Sequence, residues 1–303
     1  MNKLATCENI TKKNLYSLFE IADQNKFSSL KGKILINAFF EPSTRTSLSF
    51  ESAMKRMDGE VINYYDSYSS SKKGETFEDT IRTLCAYGDI LVLRHPKKEF
   101  LANSLTITSI PIINAGNGDG EHPTQAILDL YTIYNHFNKK AQPFDLQKLR
   151  VLFIGDIKHS RTIHSLLTLL HLFPQFSISM LPYYNLEPSA ECVRQIKENH
   201  SQDAVIVERQ NIIWKDYDVV YCTRRQKERS DTEINPLDKK DDFILTNDIA
   251  NQMHNDAIIL HPLPRNDELA TDVDSNHRAK YFEQAKHGVK IRQALIQMIL
   301  NNA

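Results

Sequence analysis

Hydroxyl and guanidinium side chains crowd the segment Phe39-Phe40-Glu41-Pro42-Ser43-Thr44-Arg45-Thr46-Ser47-Leu48-Ser49-Phe50-Glu51, where an apolar run ends, a proline intervenes and a helical pattern begins. Open backbone N–H groups at a helix start, the positive end of its dipole, the Ser43, Thr44 and Thr46 hydroxyls and the Arg45 guanidinium together suit a phosphate. The alternative is a Ser or Thr that merely caps the helix. Arg45 in the first turn opposes the dipole, and a bound anion would remove that conflict. A second apolar run ends in Leu93-Arg94-His95-Pro96, which puts a cation at the edge where α/β sheets bind ligands. The glycine-rich stretch from Asn114 to Gln125 delivers His122 and Gln125 one turn apart at another helix start. It is no EF-hand: with Gly120 at loop position 6, Ala115 and Ala126 fall where positions 1 and 12 need oxygen ligands. The loop Ser69-Ser70-Ser71-Lys72-Lys73-Gly74-Glu75-Thr76 reads, by itself, as a solvated tip.

In the second half, Phe153-Ile154-Gly155-Asp156 ends a strand, but neither G-x-G-x-x-G nor G-x-x-x-x-G-K-[ST] is present, so nucleotide binding is not expected. Immediately after this strand come Lys158-His159-Ser160-Arg161, and a later strand runs into Thr223-Arg224-Arg225-Gln226-Lys227-Glu228-Arg229. Two strand ends that present guanidiniums suit a dicarboxylate, and solvated charge runs are the competing reading. The segment Ile259-Leu260-His261-Pro262-Leu263-Pro264-Arg265 has prolines that stiffen the backbone and leave carbonyls for a ligand's amide, or else forms a plain rigid turn.

Short β-branched and aromatic runs must carry these segments, and they alternate with longer amphipathic stretches, which predicts an α/β protein with parallel sheets. Strands are expected at Ile34–Phe40, Val61–Tyr65, Asp89–Arg94, Pro111–Asn114, Leu149–Gly155, Ser177–Leu181, Ala204–Val207, Asp218–Cys222 and Ala257–Leu260. Helices are expected at Ser43–Met57, Glu75–Tyr87, Pro123–Phe137, about Arg161–Phe173 and about Gly288–Asn301. At roughly 150 residues per domain, 303 residues predict two domains. The polar stretch Asn138 to Pro143 puts their boundary near residue 138, giving 1–137 and 138–287. With 37 basic against 38 acidic residues the net charge is −1, so neither nucleic acid nor a membrane surface is an expected partner. No apolar run approaches the roughly 18 residues of a membrane span, and the polar start predicts a cytosolic chain. Cys7, Cys85, Cys192 and Cys222 lie far apart without a C-x-x-C pair and read as reduced, mostly buried thiols.

These segments, together with Lys72 to Thr76 and His261 to Asp274, match in order the aspartate/ornithine carbamoyltransferase family, whose catalytic chains the sequence resembles along nearly its whole length. Ser-Thr-Arg-Thr marks the wider family. Glu41-Pro42, Thr223-Arg224-x-Gln226-Lys227-Glu228-Arg229 and His261-Pro262-Leu263-Pro264-Arg265 resemble the aspartate branch, where ornithine enzymes typically carry His-Cys-Leu-Pro. The resemblance implies two doubly wound parallel-sheet domains bridged by two helices: a carbamoyl-phosphate domain to which helix 288–303 returns, and an aspartate domain. It gives the phosphate to Ser43, Thr44, Arg45 and Thr46 with Arg94, and the carbamoyl oxygen to Thr46, Arg94 and His122. The carbamoyl amide falls to Gln125 and to the backbone at Leu263 and Pro264, and the aspartate carboxylates to Arg161, Arg224 and Gln226. Ser69 and Lys73 would come from a neighbouring chain of a homotrimer, with two trimers and regulatory chains as a larger form.

The implied reaction is transfer of a carbamoyl group from carbamoyl phosphate to the α-amine of L-aspartate, for pyrimidine biosynthesis, with Arg45, Thr46, Lys73, Arg94 and His122 as the catalytic set. No metal or organic cofactor is implied. A carbamoyltransferase for another amine and a non-catalytic anion-binding subunit are the rivals. Two residues depart from the family pattern: Ser47 where an arginine is usual, and Arg225 where an apolar residue is expected.

Overall fold

The computed structural model describes residues 3–65, 74–138, 148–200, 205–226 and 242–301. By its contacts the chain divides into two units, one of residues up to Leu128 with those from Lys286 onward, the other of Asp129 to Ala285.

In the first unit, α1 (Lys12–Gln24) is followed by β1 (Ile34–Phe39), α2 (Thr44–Lys55), β2 (Glu60–Tyr65), α3 (Phe77–Cys85), β3 (Ile90–His95), α4 (Glu99–Ile107) and β4 (Ile112–Asn117). The strands form a parallel sheet of order β2-β1-β3-β4. β1 and β3 are buried almost throughout, as central strands of a covered parallel sheet must be. One face of the sheet buries Ile36, Ala38, Leu91, Leu93 and Ile112 against Ile81 and Leu84 of α3 and Leu101 of α4. Each such aliphatic side chain contributes about 1.5–3 kcal/mol.

α5 (Pro123–Phe137) begins in the first unit and continues into the second. There the elements are β5 (Arg150–Gly155), α6 (Arg161–Leu170), β6 (Ser177–Pro182), α7 (Ala190–Asn199), β7 (Val219–Thr223), α8 (Asn247–Ala250) and β8 (Ile258–Leu260). A second parallel sheet has the order β6-β5-β7-β8. Its core gathers Leu152, Ile154, Val220, Cys222 and Ile259 with Tyr183, Phe243, Leu245 and Tyr281. α9 (Tyr281–Leu300) closes the chain.

Both sheets are the parallel α/β arrangement expected from the sequence, with two corrections. The strand expected at Ala204–Val207 is only a single bridge between Ile206 and Met180. Ile206 is 47% exposed there, and the chain turns into a 3-10 turn at Arg209, so no second pair extends the ladder. The last helix starts at Tyr281, seven residues before the expected Gly288, which sits inside it. Gly288 is tolerated because a side chain there would meet Arg292 and Leu128. Helices α1, α4, α7 and the single-turn α8 are not among the expected elements. All four cysteines are free, and Cys7, Cys85 and Cys222 are buried. Among the described residues no helix is long and apolar enough to cross a membrane.

Candidate active site

Each sheet reverses its winding between two central strands, β1 and β3 in one and β5 and β7 in the other, and ligands of such sheets bind at the carboxyl ends of those strands. In the first sheet Phe39 pairs with Arg94, so the Ser43–Thr46 turn and Arg94 leave the sheet at neighbouring strand ends. Phe40 N–H donates to the Arg94 carbonyl at 2.8 Å and fixes that exit. α2 starts at Thr44, yet the Ser43 hydroxyl makes no capping bond and no acidic residue lies in the first turn. The capping alternative therefore fails: the hydroxyl, the helix N–H groups and the exposed Arg45 all belong to one positive, donor-rich turn.

Thr46 and His122, 76 residues apart in sequence, are both buried, and Thr46 Oγ1 lies 3.4 Å from His122 Nε2. His122 precedes Pro123 at the first position of α5, and its carbonyl accepts from Gln125 and Ala126 N–H, which sets Gln125 one turn along. From α9, Arg292 Nη2 donates to Thr124 Oγ1 at 3.3 Å and steadies that helix start. Arg94 Nε is ion-paired with Glu41 Oε1 at 2.7 Å, and Nη1 donates to the Ala115 carbonyl at 3.2 Å, so the guanidinium is held on two sides. Glu41 stands in the sequence motif, but its role as an orienting carboxylate shows only in the fold. The unusual Ser47 is buried, and its hydroxyl accepts from Asn37 Nδ2 of β1 at 3.0 Å. Asn37 also donates to Asn63 Oδ1 of β2 at 2.8 Å, so a short polar bridge through Asn37 lies behind the turn.

In the second sheet Gly155 pairs with Thr223, again bringing the two relevant strand ends together. Asp156 is the joint between them. Its Oδ1 accepts from His159 N–H at 3.0 Å and its Oδ2 from Gln226 N–H at 2.8 Å. This buried carboxylate, which residue spacing alone does not single out, holds both cation-bearing segments. Arg161 is buried at the first position of α6. Arg224 Nη1 donates to the Arg225 carbonyl and Gln226 Nε2 to the Arg224 carbonyl.

The Leu263 turn is braced from beneath. Leu263 N–H donates to His261 Nδ1 at 2.8 Å, so the ring proton is on Nε2, which donates to Glu268 Oε1 at 2.9 Å. Burial holds the His261 imidazole below its usual range and neutral at pH 7. Burial opposes charge on Glu268, but bonds from His261 and from the Asn266 N–H outweigh it and keep the carboxylate ionised. Gln284 accepts from His261 N–H and donates to Asp129 at 2.6 Å, and Asp129 accepts from Tyr221 at 2.8 Å. On this base Leu263 adopts φ 56°, a left-handed conformation that a leucine rarely takes and that the surroundings impose. Pro264 follows it, exposed, across a cis peptide bond.

The first unit thus brings together Ser43, Thr44, Arg45, Thr46, Arg94, His122 and Gln125. The second brings together Arg161, Arg224 and Gln226, with Leu263 and Pro264 on their own turn. Ser69 and Lys73 lie outside the described residues. Among the described residues no group of three or more His, Cys, Asp or Glu is arranged to hold a metal ion.

A chain carrying these two sheets has relatives. The family models for the aspartate/ornithine carbamoyltransferase carbamoyl-P binding domain and Asp/Orn binding domain match residues 2–135 and 147–299. The chain belongs to the aspartate/ornithine carbamoyltransferase family. Within it, the chain is 42% identical to the aspartate carbamoyltransferase catalytic subunit of Alkaliphilus oremlandii, over 91% of this chain and 82% of that one. It is 41% identical to the chloroplastic aspartate carbamoyltransferase 2 of Pisum sativum, over 94% and 75%. The multifunctional protein pyr-3 of Neurospora crassa is 37% identical over 97% of this chain, which spans only 16% of that protein. Among solved structures, the catalytic subunit of M. jannaschii aspartate transcarbamoylase superposes with a TM-score of 0.89 at 35% identity, covering 100% of this chain and 99% of that one. The Trypanosoma cruzi enzyme in complex with carbamoyl phosphate and aspartate superposes at 0.86 and 33% identity, covering 98% and 95%.

Proposed function

We propose that this chain transfers the carbamoyl group of carbamoyl phosphate to the α-amine of L-aspartate, giving N-carbamoyl-L-aspartate and phosphate for pyrimidine biosynthesis. The amine attacks the carbonyl carbon and a C–N bond forms. A tetrahedral oxyanion develops, the C–O bond to phosphate breaks, and the departing phosphate takes up the amine proton.

The observation that carries this reading is the buried meeting of Thr46 and His122 at 3.4 Å, beside an uncapped helix start with Arg45 and next to Arg94. On it, Ser43, Thr44, Arg45 and Thr46 hold the phosphate, while Thr46, Arg94 and His122 donate to the carbamoyl oxygen as charge builds there. Fixed donors of this kind contribute roughly 3–4 kcal/mol each to the transition state. Gln125 and the Leu263 carbonyl, with Pro264 beside it, orient the carbamoyl amide. His122 acts as a hydrogen-bond donor rather than a general base. Arg161, Arg224 and Gln226 take the two carboxylates of the acceptor, a role for which forked guanidiniums are suited and which repels a cationic side chain such as ornithine's.

The same reading makes the enzyme a homotrimer in which Ser69 and Lys73 serve a neighbouring chain's site. It is assigned to the cytosol, where four free thiols stay reduced. The experiment is a turnover assay with carbamoyl phosphate and either aspartate or ornithine. Carbamoyl-aspartate should form, with aspartate binding only after carbamoyl phosphate and with succinate competing for it. Equal carbamoylation of ornithine would refute the acceptor assignment, and binding without product would refute catalysis.

A further inference from the structure

Arg225 sits between two acceptor-binding residues with a charge that the proposed reaction does not use. Side chains of an extended segment alternate in direction, and burial alternates here: Arg224 and Gln226 are half-buried and Arg225 is 9% exposed. On its own side, Arg225 donates from Nε and Nη2 to the Asp242 carboxylate at 2.5 and 2.6 Å. Its guanidinium also lies 5.3 Å from the centre of the Tyr183 ring. The Tyr183 hydroxyl donates to the Phe243 carbonyl at 3.0 Å, and the buried Phe243 ring stacks on Trp214. The side chain between Arg224 and Gln226 is therefore fastened to the core of its unit.

This fastening governs the neighbours through the backbone. Arg224 donates to the Arg225 carbonyl and Gln226 to the Arg224 carbonyl, so both side chains are referenced to peptide groups that Arg225 holds. An apolar residue at this position would be retained by burial, which has no direction. A bidentate guanidinium–carboxylate pair sets orientation as well. A buried ion pair is a poor source of net stability compared with apolar packing, so the gain from this one lies in orientation.

We infer that the Arg225–Asp242 pair is a positioning device for the acceptor's carboxylates, acting on them through Arg224 and Gln226. The inference rests on the reading of this unit as the acceptor-binding one.

The test uses the full chain as wild type, Asp242→Asn, Arg225→Lys and the double variant Arg225→Leu/Asp242→Leu, with KM for each substrate and a thermal melt. Asp242→Asn removes the counter-charge of a buried guanidinium and should lower Tm and raise KM for aspartate roughly tenfold or more. Arg225→Lys keeps the charge without the fork and should give an intermediate KM. The double variant leaves no orphaned charge: its Tm should return towards wild type while KM for aspartate stays raised and KM for carbamoyl phosphate stays within about twofold. An aspartate KM that follows Tm back to the wild-type value, one that never moves, or a parallel rise in both KM values would overturn the inference. A wild-type chain that carbamoylates no dicarboxylate sinks the reading of the reaction and the inference with it, whereas unchanged variants of an active wild type sink the pair alone.

Discussion

Replacing Gly155 by alanine puts the smallest possible side chain at the point where β5 meets β7. Gly155 has φ 119°, a conformation essentially confined to glycine. A Cβ there would strike the Thr223 carbonyl oxygen, with the Thr223 carbonyl carbon and Cγ2 only 3.1 Å away. Since the oxygen is backbone, no side-chain rotation relieves the contact, and the strands must part by on the order of 1 Å to restore a separation of about 3.5 Å. The backbone conformation costs about 1–3 kcal/mol. Loosening the last one or two ladder bonds adds about 0.5–1.5 kcal/mol each, and displaced packing about 1–2 kcal/mol more. The sum is about 2.5–8 kcal/mol, or a fall in Tm of roughly 5–30 °C for a unit of this size. The functional part is sharper, because Asp156 follows immediately and its carboxylate spans His159 and Gln226. Scanning calorimetry and steady-state kinetics should show a lowered Tm together with a raised KM for aspartate, and KM for carbamoyl phosphate should change little. An alanine variant that melts within about 2 °C of wild type and keeps its aspartate KM would refute the account of this junction.

Arg45→Ala should lower kcat by on the order of 100-fold or more with the fold intact by circular dichroism, and near-normal turnover would remove Arg45 from the phosphate site. Mixing dissociated Arg45→Ala and Lys73→Ala chains and reassembling them should restore activity at about a third of sites in mixed trimers, whereas no recovery would mean Lys73 does not serve a neighbour. His200 is buried near His171, and burial first, then that neighbour, pushes its imidazole down to about 4. The unfolded chain takes up this proton below pH 6.5 before the folded chain does, so stability should fall by about 3 kcal/mol between pH 6.5 and 4. His200→Gln should flatten that slope in pH-dependent denaturation, and an unchanged slope would exclude His200 as its source.

The strands were legible because parallel strands buried on both faces are unbroken apolar runs, as Ile34–Phe39 and Arg150–Gly155 are. Charges at the ends of such runs, Arg94 and Arg224, were legible as strand-end residues for the same reason. Helix α7 escaped because it is mostly polar and buries only Ile196, and α4 buries only Leu101 and Ser104. The stripe of α1, at Leu15, Leu18, Phe19 and Ala22 behind a Thr11 capping box, is present in the sequence though it is not among the expected helices. What no spacing rule reaches is the supporting layer. Asp156 with Gln226, Arg225 with Asp242, Glu41 with Arg94 and the chain from Tyr221 through Asp129 and Gln284 to His261 join residues that only the sheet order makes neighbours.

The two sheets repeat one strand order, each presenting its chemistry at the ends of its two middle strands. On the proposed assignment, edits at two places, the residues after Gly155 and those after Thr223, would change the choice of acceptor without touching the turn at Ser43 to Thr46 proposed for the donor. Grafting a pocket for a different amine onto the second sheet is then a local redesign, and the inherited donor chemistry should survive it. Diversification of acceptors around a constant carbamoyl donor is what such modularity favours.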